Sequence, residues 1–502
     1  MNRLPFSPRR MFVVFSGWLP LVMAFLLAHP VLGQGPQEAP WSKQLAELAA
    51  RMERLEAENQ TLRDRLARLE GTDAASNGAP AVRPVALASP PPQAAPAAQP
   101  AAEATPPKVQ WGAEIRFRPE SRSDFNQKNA LNNFLLQRIR LDARLRLSEQ
   151  VAGLVQFQDS RFWGQETSTA SNESNVDLHQ AYLQVDRFLH DRLRLRLGRQ
   201  ELIYGNERLI GAFGWDNVGR SFDALKLTYT APVWSYDFLF SRVADRRNSA
   251  RGNDSQDLIG LYARIGKSEA RFGLEPYVLY LRDGLETRGE RPGSGPESTR
   301  LVTLGFRHFA NFTNGFGYTL ENAYQLGQSG PDTHRAAALA AVGRYRFARR
   351  FSPEIGFEYD VATGDSDPQD GRSGEFHNLF PTNHMHYGYA DYMGWRNMQN
   401  FKPYFAFQPA ANVRAELSYH RLLLMERRGA WKNAGGKVLG FDPTGRLGTD
   451  LGHEIDLTLS FPMYERVRML AGYSVFVPGK FARASQGPQA SQFGYLQTLV
   501  TF

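Results

Sequence analysis

The stretch Arg138–Leu147, Arg-Ile-Arg-Leu-Asp-Ala-Arg-Leu-Arg-Leu, alternates between charged and apolar residues without a break. Successive side chains of a β-strand point to opposite faces, so this strand has one apolar face and one face with four arginines and Asp142. Burying four unpaired guanidinium groups in a dry core would cost several kcal/mol each. The stretch therefore predicts a strand between an apolar phase and water, as in a membrane β-barrel, with the solvated edge of a soluble β-sandwich as the alternative.

The composition of the 502-residue chain narrows the class of protein further. Charged residues make up 22% of the chain and the mean hydropathy is −0.44, which argues against a bundle of membrane-spanning helices. The net charge is +8, but the arginines are spread along alternating stretches, so nucleic acid is not an expected partner. The absence of cysteine suits a cell-envelope protein that is stable without disulfides.

Residues 1–33 have the pattern of a secretory signal peptide. Three arginines precede the apolar stretch Met11–Ala28, and cleavage is expected near Gln34. An uncleaved anchor helix is the alternative, although Pro20 and Pro30 would interrupt such a helix.

Residues 42–70 carry four unbroken heptads and predict a short periplasmic coiled-coil helix. Leucine occupies every d position, and Asn59 occupies one a position, a combination that favours parallel chains in register. We therefore expect self-association through residues 42–70, as a dimer or a trimer. A single amphipathic helix packed on another surface is the alternative. The a and d positions are Leu45, Leu48, Met52, Leu55, Asn59, Leu62, Leu66 and Leu69.

Residues 72–107 are rich in alanine and proline and contain three consecutive prolines at 90–92. Such a segment has too little apolar surface to offset the entropy lost on ordering. It is predicted to be a disordered linker between the coiled coil and the remainder of the chain.

Residues 109–502 alternate between polar and apolar residues throughout, which predicts an all-β fold. Transmembrane strands need about 9–11 residues each, so this region has room for a large antiparallel barrel of roughly 16–18 strands. A short break at 147–150 predicts a periplasmic turn. Long polar breaks predict external loops at Gly164–Asn175, Ala244–Gln256, Asp283–Thr299 and Gly364–Glu375.

Two further stretches make the prediction more specific. One is Leu197–Gly211, Leu-Gly-Arg-Gln-Glu-Leu-Ile-Tyr-Gly-Asn-Glu-Arg-Leu-Ile-Gly, followed by Gly219–Asp223. The other is Tyr359–Asp365 with the downstream segment Phe376–His384. Together they resemble the alginate-export family of Gram-negative outer-membrane proteins. The resemblance covers residues 109–502 and implies an 18-stranded barrel whose arginine-rich lumen passes an anionic polyuronate.

The candidate site residues are arginines that are predicted to line the pore. Arg199 and Arg220 lie in the stretches that carry the resemblance and are the predicted constriction. The full set is Arg116, Arg118, Arg138, Arg140, Arg144, Arg146, Arg194, Arg196, Arg199 and Arg220. As an alternative, these arginines pair across strands with four acidic counter-charges, namely Asp142, Glu354, Glu358 and Asp360.

Other motifs give little indication of metal binding, phosphate binding or catalysis. The carboxylates at 365–370 lack the spacing of an EF-hand, and the pair His384 and His386, predicted to alternate on a strand near His377, has no visible second shell. The sequence contains no convincing nucleophile–base set and no phosphate-binding glycine loop. We therefore expect no metal site, no cofactor and no enzymatic activity.

The leading hypothesis is a passive outer-membrane channel that conducts anionic substrates, with an acidic polysaccharide such as alginate or a small anion as the partner. A general trimeric anion-preferring porin is the first alternative. A barrel enzyme and a structural envelope tether built from residues 42–107 are the others.

Deletion of residues 34–107 tests the predicted self-association. We expect single barrels, because the only predicted contact between copies is the coiled coil. Light scattering of the detergent-solubilised protein measures the mass. Deleting only residues 72–107 is the control, since it leaves the heptads in place. The same number of copies per particle for the full and the 34–107-deleted chains would contradict the prediction.

Overall fold

The computed structural model describes residues 108–125, 132–166, 176–245, 255–266, 271–288, 296–367 and 369–502. The predicted signal peptide at 1–33, coiled coil at 42–70 and linker at 72–107 lie outside these residues. Within the described ranges, no helix has the length and apolar character needed to span a membrane.

The described residues form a closed antiparallel barrel of 18 strands, which confirms the predicted fold. Each wall strand pairs with the next, and β1 also pairs with β21, which closes the wall. The strands are β1 (Lys108–Arg122), β2 (Asn132–Arg146), β3 (Val151–Phe162), β4 (Val176–Asp186), β5 (Leu193–Gln200), β6 (Phe222–Thr230), β7 (Trp234–Asp245), β8 (Ser255–Ile265), β9 (Phe272–Arg288), β10 (Pro296–Asn311), β11 (Phe316–Ser329), β12 (Asp332–Arg346), β13 (Glu354–Ala362), β14 (Arg372–Ser373), β15 (Met398–Ala410), β16 (Val413–Leu424), β17 (Trp431–Lys432), β18 (Val438–Gly440), β19 (Asp450–Tyr464), β20 (Val467–Pro478) and β21 (Ser491–Thr501).

Among the described residues, three short strands and two short helices are not part of the 18-strand wall. β14 pairs in parallel with β12, and β17 pairs with β18 as a small hairpin. The helix α1 spans Lys480–Ser485, and a single 3₁₀ turn spans Asn383–Met385.

The two faces of each wall strand have opposite character, as the alternation predicts. On β2, Ile139 and Leu141 are exposed on the outer surface, whereas Arg138, Arg140 and Asp142 are buried on the lumen side. The same holds on β19, where Ile455 and Leu457 point outwards while the lumen side is acidic. The apolar outer surface of the barrel therefore faces lipid.

Connections at the two ends of the barrel differ in length. The turns at 147–150, 231–233 and 411–412 lie at the end where β1 begins and β21 finishes. Short turns mark the periplasmic end of outer-membrane barrels, and long connections mark the external end.

The predicted external loops need adjustment in two places. β9 and β10 extend far into Asp283–Thr299, and Gly364–Glu375 is only the first part of a connection that continues to residue 397. The remaining two predicted loops, Gly164–Asn175 and Ala244–Gln256, coincide with the β3–β4 and β7–β8 connections.

The hydrophobic core lies inside the barrel, in its external half. The connections at 201–221 and 363–397 supply completely buried side chains there, including Ile210, Phe376 and Trp395. The connection at 425–449 and α1 add Trp431 and Phe481. Because an 18-stranded wall encloses more space than its own side chains can fill, these inward-folded loops occupy much of it.

The lipid-facing assignment of β19 can be tested by placing a charge on it. Leu457→Arg is expected to lower the free energy of unfolding by about 2–4 kcal/mol, the range for arginine near the bilayer midplane. Thr458→Arg is the matched control, because residue 458 faces the water-filled and acidic lumen. Urea unfolding in lipid vesicles, followed by tryptophan fluorescence, measures both variants; equal losses would contradict the assignment.

Candidate functional site

Two inward-folded segments meet inside the lumen: the 201–221 loop, which joins β5 to β6, and the 363–397 loop, which joins β13 to β15. Their backbones pair in parallel at Ile210 and Phe380. The amide of Gly211 donates to the Phe380 carbonyl at 2.9 Å, and the amide of Phe380 donates to the Leu209 carbonyl at 2.8 Å. The amide of Thr382 also donates to the Glu207 carbonyl, at 2.8 Å. The two loops therefore form one hydrogen-bonded unit, which we call the loop bridge.

Side chains reinforce the loop bridge at its centre. Arg220 Nη1 donates to the carbonyls of Gly211 at 3.1 Å, Phe380 at 2.5 Å and Pro381 at 3.0 Å. Burial lowers the pKa of Arg220 to about 10, because removal from water disfavours the charged form. The Glu207 carboxylate accepts from the Thr382 hydroxyl at 2.7 Å. Arg220 thus lies in the loop bridge with its donors directed at loop carbonyls, and its role at a constriction stays a prediction.

The first anchor of the loop bridge is the arginine face of β1 and β2. Arg116 Nη1 donates to the Gly214 carbonyl at 2.8 Å, and Arg118 Nη1 donates to the Trp215 carbonyl at 2.7 Å. Arg138 Nη1 reaches the carbonyls of Gly214 and Asp216, both at 3.1 Å. The Arg118 guanidinium also lies 3.9 Å from the centre of a Trp215 ring. Three predicted pore-lining arginines therefore hold the tip of the 201–221 loop against the wall.

Arg140 contacts the start of the same loop at Glu201 and its end at Val218, whose carbonyl lies 3.4 Å from Arg140 Nη2. Its Nε donates to Gln158 Oε1 at 2.7 Å, and its Nη1 lies 3.3 Å from Glu201 Oε1. His179 Nε2 is 2.9 Å from the same carboxylate oxygen. Although burial opposes it, hydrogen bonding to His179 and the charge of Arg140 lower the pKa of Glu201. The carboxylate therefore stays ionised and fixes the point where the loop leaves β5.

The second anchor lies on the opposite, acidic wall. Arg208 is 2% exposed and forms ion pairs with Glu358 and, at 3.0 Å, with Asp360 Oδ1. Its Nη1 also donates to the Tyr387 hydroxyl at 2.8 Å, and Glu321 lies 4.0 Å away. Burial alone would lower the pKa of Arg208, but Tyr387 and the surrounding carboxylates raise it well above its ordinary value.

The two anchors lie on opposite sides of the lumen. β11, which carries Glu321, is the ninth strand after β2 in the 18-strand wall, so it faces the arginines of β2 across the barrel. The loop bridge therefore spans the lumen from a basic wall to an acidic wall.

The four predicted counter-charges have different partners from one another. Asp142 pairs with Arg144 at 3.2 Å, and Glu354 pairs with Arg346 at 2.7 Å. Glu358 and Asp360 pair with Arg208 of the loop bridge, and Glu358 also lies 3.5 Å from Lys402 Nζ. Only the first of these pairs involves one of the predicted pore-lining arginines.

Arg199 does not line the lumen, so its predicted place at the constriction is wrong. Its neighbour Gln200 is fully buried on the lumen side, and Arg199 shares the outer face with the exposed Leu197. It pairs there with Asp223 at 3.5 Å and with Asp177 at 3.8 Å. These exposed ion pairs lie near the external ends of their strands, where the outer face leaves the hydrocarbon layer.

The remaining predicted arginines lie in the periplasmic half of the lumen, where Arg144, Arg146 and Arg194 are exposed and Arg196 is half-buried. The side chains of Arg144 and Arg194 are 63% and 51% exposed, although Arg194 pairs with Asp186 at 2.5 Å. Arg146 is exposed, and Arg196 stacks on the ring of Tyr182 at 4.3 Å. Arg264 and Arg346, which the sequence analysis missed, are 51% and 53% exposed at the same level.

The histidines of the 363–397 loop have structural contacts. His384 stacks on Trp215 with ring centres 3.9 Å apart and lies 3.1 Å from the Asp391 carboxylate. His386 Nε2 lies 2.8 Å from the Asn206 carbonyl. His384 is in the 3₁₀ turn and His386 follows it, so their predicted alternation on a strand is wrong. Among the described residues, no group of three His, Cys, Asp or Glu side chains is placed to hold a metal ion.

The Arg208 anchor can be tested by removing its charge. Arg208→Gln removes a buried cation from Asp360 and leaves Glu358 with Lys402 alone, and it is expected to lower the free energy of unfolding by about 3–5 kcal/mol. Arg192→Gln, in an exposed periplasmic turn, is the control and is expected to change it little. Denaturant unfolding in micelles measures both, and a loss no larger than that of the control would rule out a major role for the anchor.

Comparisons with known proteins agree with this architecture. Outer membrane protein OprD from Pseudomonas aeruginosa has a TM-score of 0.52 and 10% identity, over 78% of this chain and 94% of that chain. OccAB4 from Acinetobacter baumannii has a TM-score of 0.52 and 11% identity, over 80% and 99%. At these identities the likeness establishes the fold alone. A search of curated protein sequences finds no match.

A family comparison goes further than the fold. The family model described as alginate export matches residues 108–495, which is most of the chain and all but the last few residues of the barrel. This match confirms the resemblance found in the sequence and, with the barrel, points to a transport channel of the outer membrane rather than an enzyme. The protein belongs to the alginate export family of outer-membrane β-barrels.

Proposed function

We propose that this protein is a passive, anion-preferring channel and that an acidic polysaccharide such as alginate is its substrate. The observation that carries the proposal is the group of half-exposed arginines in the periplasmic half of the lumen, on β2, β5, β8 and β12. Each of these arginines pairs with a wall carboxylate but keeps half or more of its side chain exposed, and a low-dielectric wall with an excess of one sign of charge concentrates counter-ions in the enclosed water. An anionic chain in the periplasm would therefore be drawn to this end of the barrel.

Arginine suits the transport of carboxylates for a second reason. Its planar guanidinium offers two parallel donors that match the two oxygens of a carboxylate. Arg144 pairs with Asp142 at 3.2 Å, but most of its side chain stays in water, so a contact with a ligand carboxylate stays weak. Several weak contacts in series allow a polymer to bind and still move on.

The loop bridge limits the width of the lumen in this proposal. Its anchors at Arg116, Arg118, Arg138 and Arg208 are buried and already hydrogen-bonded to the protein. These arginines are better suited to fixing the loops than to contacting a moving substrate. The selectivity for charge is therefore assigned to the periplasmic half, and the limit on size to the loop bridge.

A general anion-preferring porin is the second candidate function, because the exposed arginines of the periplasmic half would attract small anions as well as a polymer. The two functions differ in the response to a polymer. Polyuronate added to the periplasmic side is expected to block the current of an exporter. Small anions that pass while polyuronate causes no block would favour the porin.

Selectivity measurements test the proposal at named residues. Arg144→Ala combined with Arg146→Ala is expected to reduce the preference for anions over cations, because both exposed charges face the lumen. Reversal potentials in planar bilayers under a salt gradient measure this preference. Arg349→Ala combined with Arg350→Ala, in the exposed β12–β13 turn, is the matched control. An unchanged reversal potential in the first variant would show that its arginines do not influence the permeation path.

A further inference from the structure

A groove lies on the lumen wall at the periplasmic ends of β5 to β8. Its volume is about 240 Å³, and its lining includes three cationic side chains, one carboxylate and several hydroxyl groups. Thr230 and Ser235 are directly paired across β6 and β7, next to the periplasmic turn. The groove therefore faces the end of the lumen that opens to the periplasm. The residues used below are Arg194, Lys226, Thr230, Ser235, Asp237 and Arg264.

The single carboxylate in the groove is already bound by the wall. Asp237 accepts hydrogen bonds from the Thr228 hydroxyl at 2.6 Å and from the Tyr204 hydroxyl at 3.0 Å. Lys226 Nζ lies 3.7 Å from the same carboxylate and offsets its charge. Tyr204 belongs to the 201–221 loop, so this contact also connects the groove to the loop bridge.

The two guanidinium groups at the groove are only partly neutralised. Arg194 pairs with Asp186 through Nε, which leaves its two terminal nitrogens available, and half of its side chain is exposed. Arg264 lies 3.7 Å from Glu275, but that carboxylate also accepts from Tyr262 at 2.7 Å and pairs with Arg307 at 2.9 Å. Positive charge is in excess at the groove and among its immediate partners. The five cations are Arg194, Arg196, Lys226, Arg264 and Arg307, and the three carboxylates are Asp186, Asp237 and Glu275.

We propose that this groove binds one uronate residue, with its carboxylate between Arg194 and Arg264 and its hydroxyls on Thr230 and Ser235. The assignment rests on the proposed function, because it places a substrate carboxylate at the periplasmic mouth of the channel. A carboxylate matches the paired donors of a guanidinium. The hydroxyl side chains both donate and accept hydrogen bonds, as the hydroxyls of a sugar ring do, whereas acetate bound between the two arginines has no hydroxyl group to pair with them.

The assignment predicts an order of affinities for three small probes. Sodium glucuronate is expected to bind the full-length, detergent-solubilised protein more tightly than acetate or glucose, since only glucuronate has both kinds of group. Arg264→Gln is expected to weaken glucuronate binding by about tenfold or more, from the loss of one charge-assisted contact. Ser235→Ala is expected to weaken glucuronate binding and leave acetate binding unchanged. Calorimetric titration measures all of these affinities.

Matched controls separate this site from general charge effects. Arg349→Gln removes the same charge from the exposed β12–β13 turn and is expected to leave glucuronate affinity unchanged. The heat-dependent shift in electrophoretic mobility confirms that each variant is a folded barrel, and Ser235→Ala retains a test if Arg264→Gln does not fold. Equal glucuronate affinity in Arg264→Gln and Arg349→Gln would overturn the assignment. Acetate binding as tightly as glucuronate would also overturn it.

Different measurements would reject the channel proposal and the proposed uronate site in the groove. A wild-type reversal potential without anion preference, together with glucuronate binding that depends on Arg264, would reject the channel proposal and support the groove. Clear anion preference with no glucuronate binding would support the channel proposal and overturn the groove.

Discussion

The structure depends on the cost of placing a guanidinium group inside a barrel without a partner. A buried and unpaired charge is so unfavourable that each arginine in the external half of the lumen needs several acceptors. Backbone carbonyls of the 201–221 loop supply them for Arg116 and Arg138, and carboxylates of the opposite wall supply them for Arg208. The basic wall needs acceptors, which the loop carbonyls supply, and the acidic wall needs a cation, which Arg208 of the loop supplies. Both needs explain why the loops fold inwards and stay there.

This constraint divides the arginines of one alternating strand into two groups. On β2, Arg138 and Arg140 lie at the level of the loop bridge and are buried, whereas Arg144 and Arg146 lie nearer the periplasm and are exposed. All four share the same face and the same local sequence pattern. The environment supplied by distant loops, and not the strand itself, decides which arginines hold structure together and which remain accessible to a ligand.

The sequence was sufficient to predict the barrel and the faces of its strands, because alternation is a local property. Alternation counted from Leu193 also places Arg199 among the outward leucines, and the family resemblance led to the opposite and wrong assignment. The loop bridge could not be predicted, since Arg208 and its partner Glu358 are 150 residues apart. His384 illustrates the same limit: its spacing from His386 suits a strand, but packing against Trp215 favours a 3₁₀ turn.

The separation of the lumen into two levels has a consequence for transport. In the proposed channel, the two loops that are hydrogen-bonded to each other and to both walls limit the width, so a substrate chain could widen the passage only by breaking buried ion pairs such as Arg208–Asp360. Charge is presented elsewhere, on side chains that solvent can reach. A channel built in this way can therefore change the substrate charge that it favours without disturbing the loops that limit its size. In the proposed channel, buried arginines of the lumen face such as Arg116 and Arg138 fix the loops and do not contact the substrate.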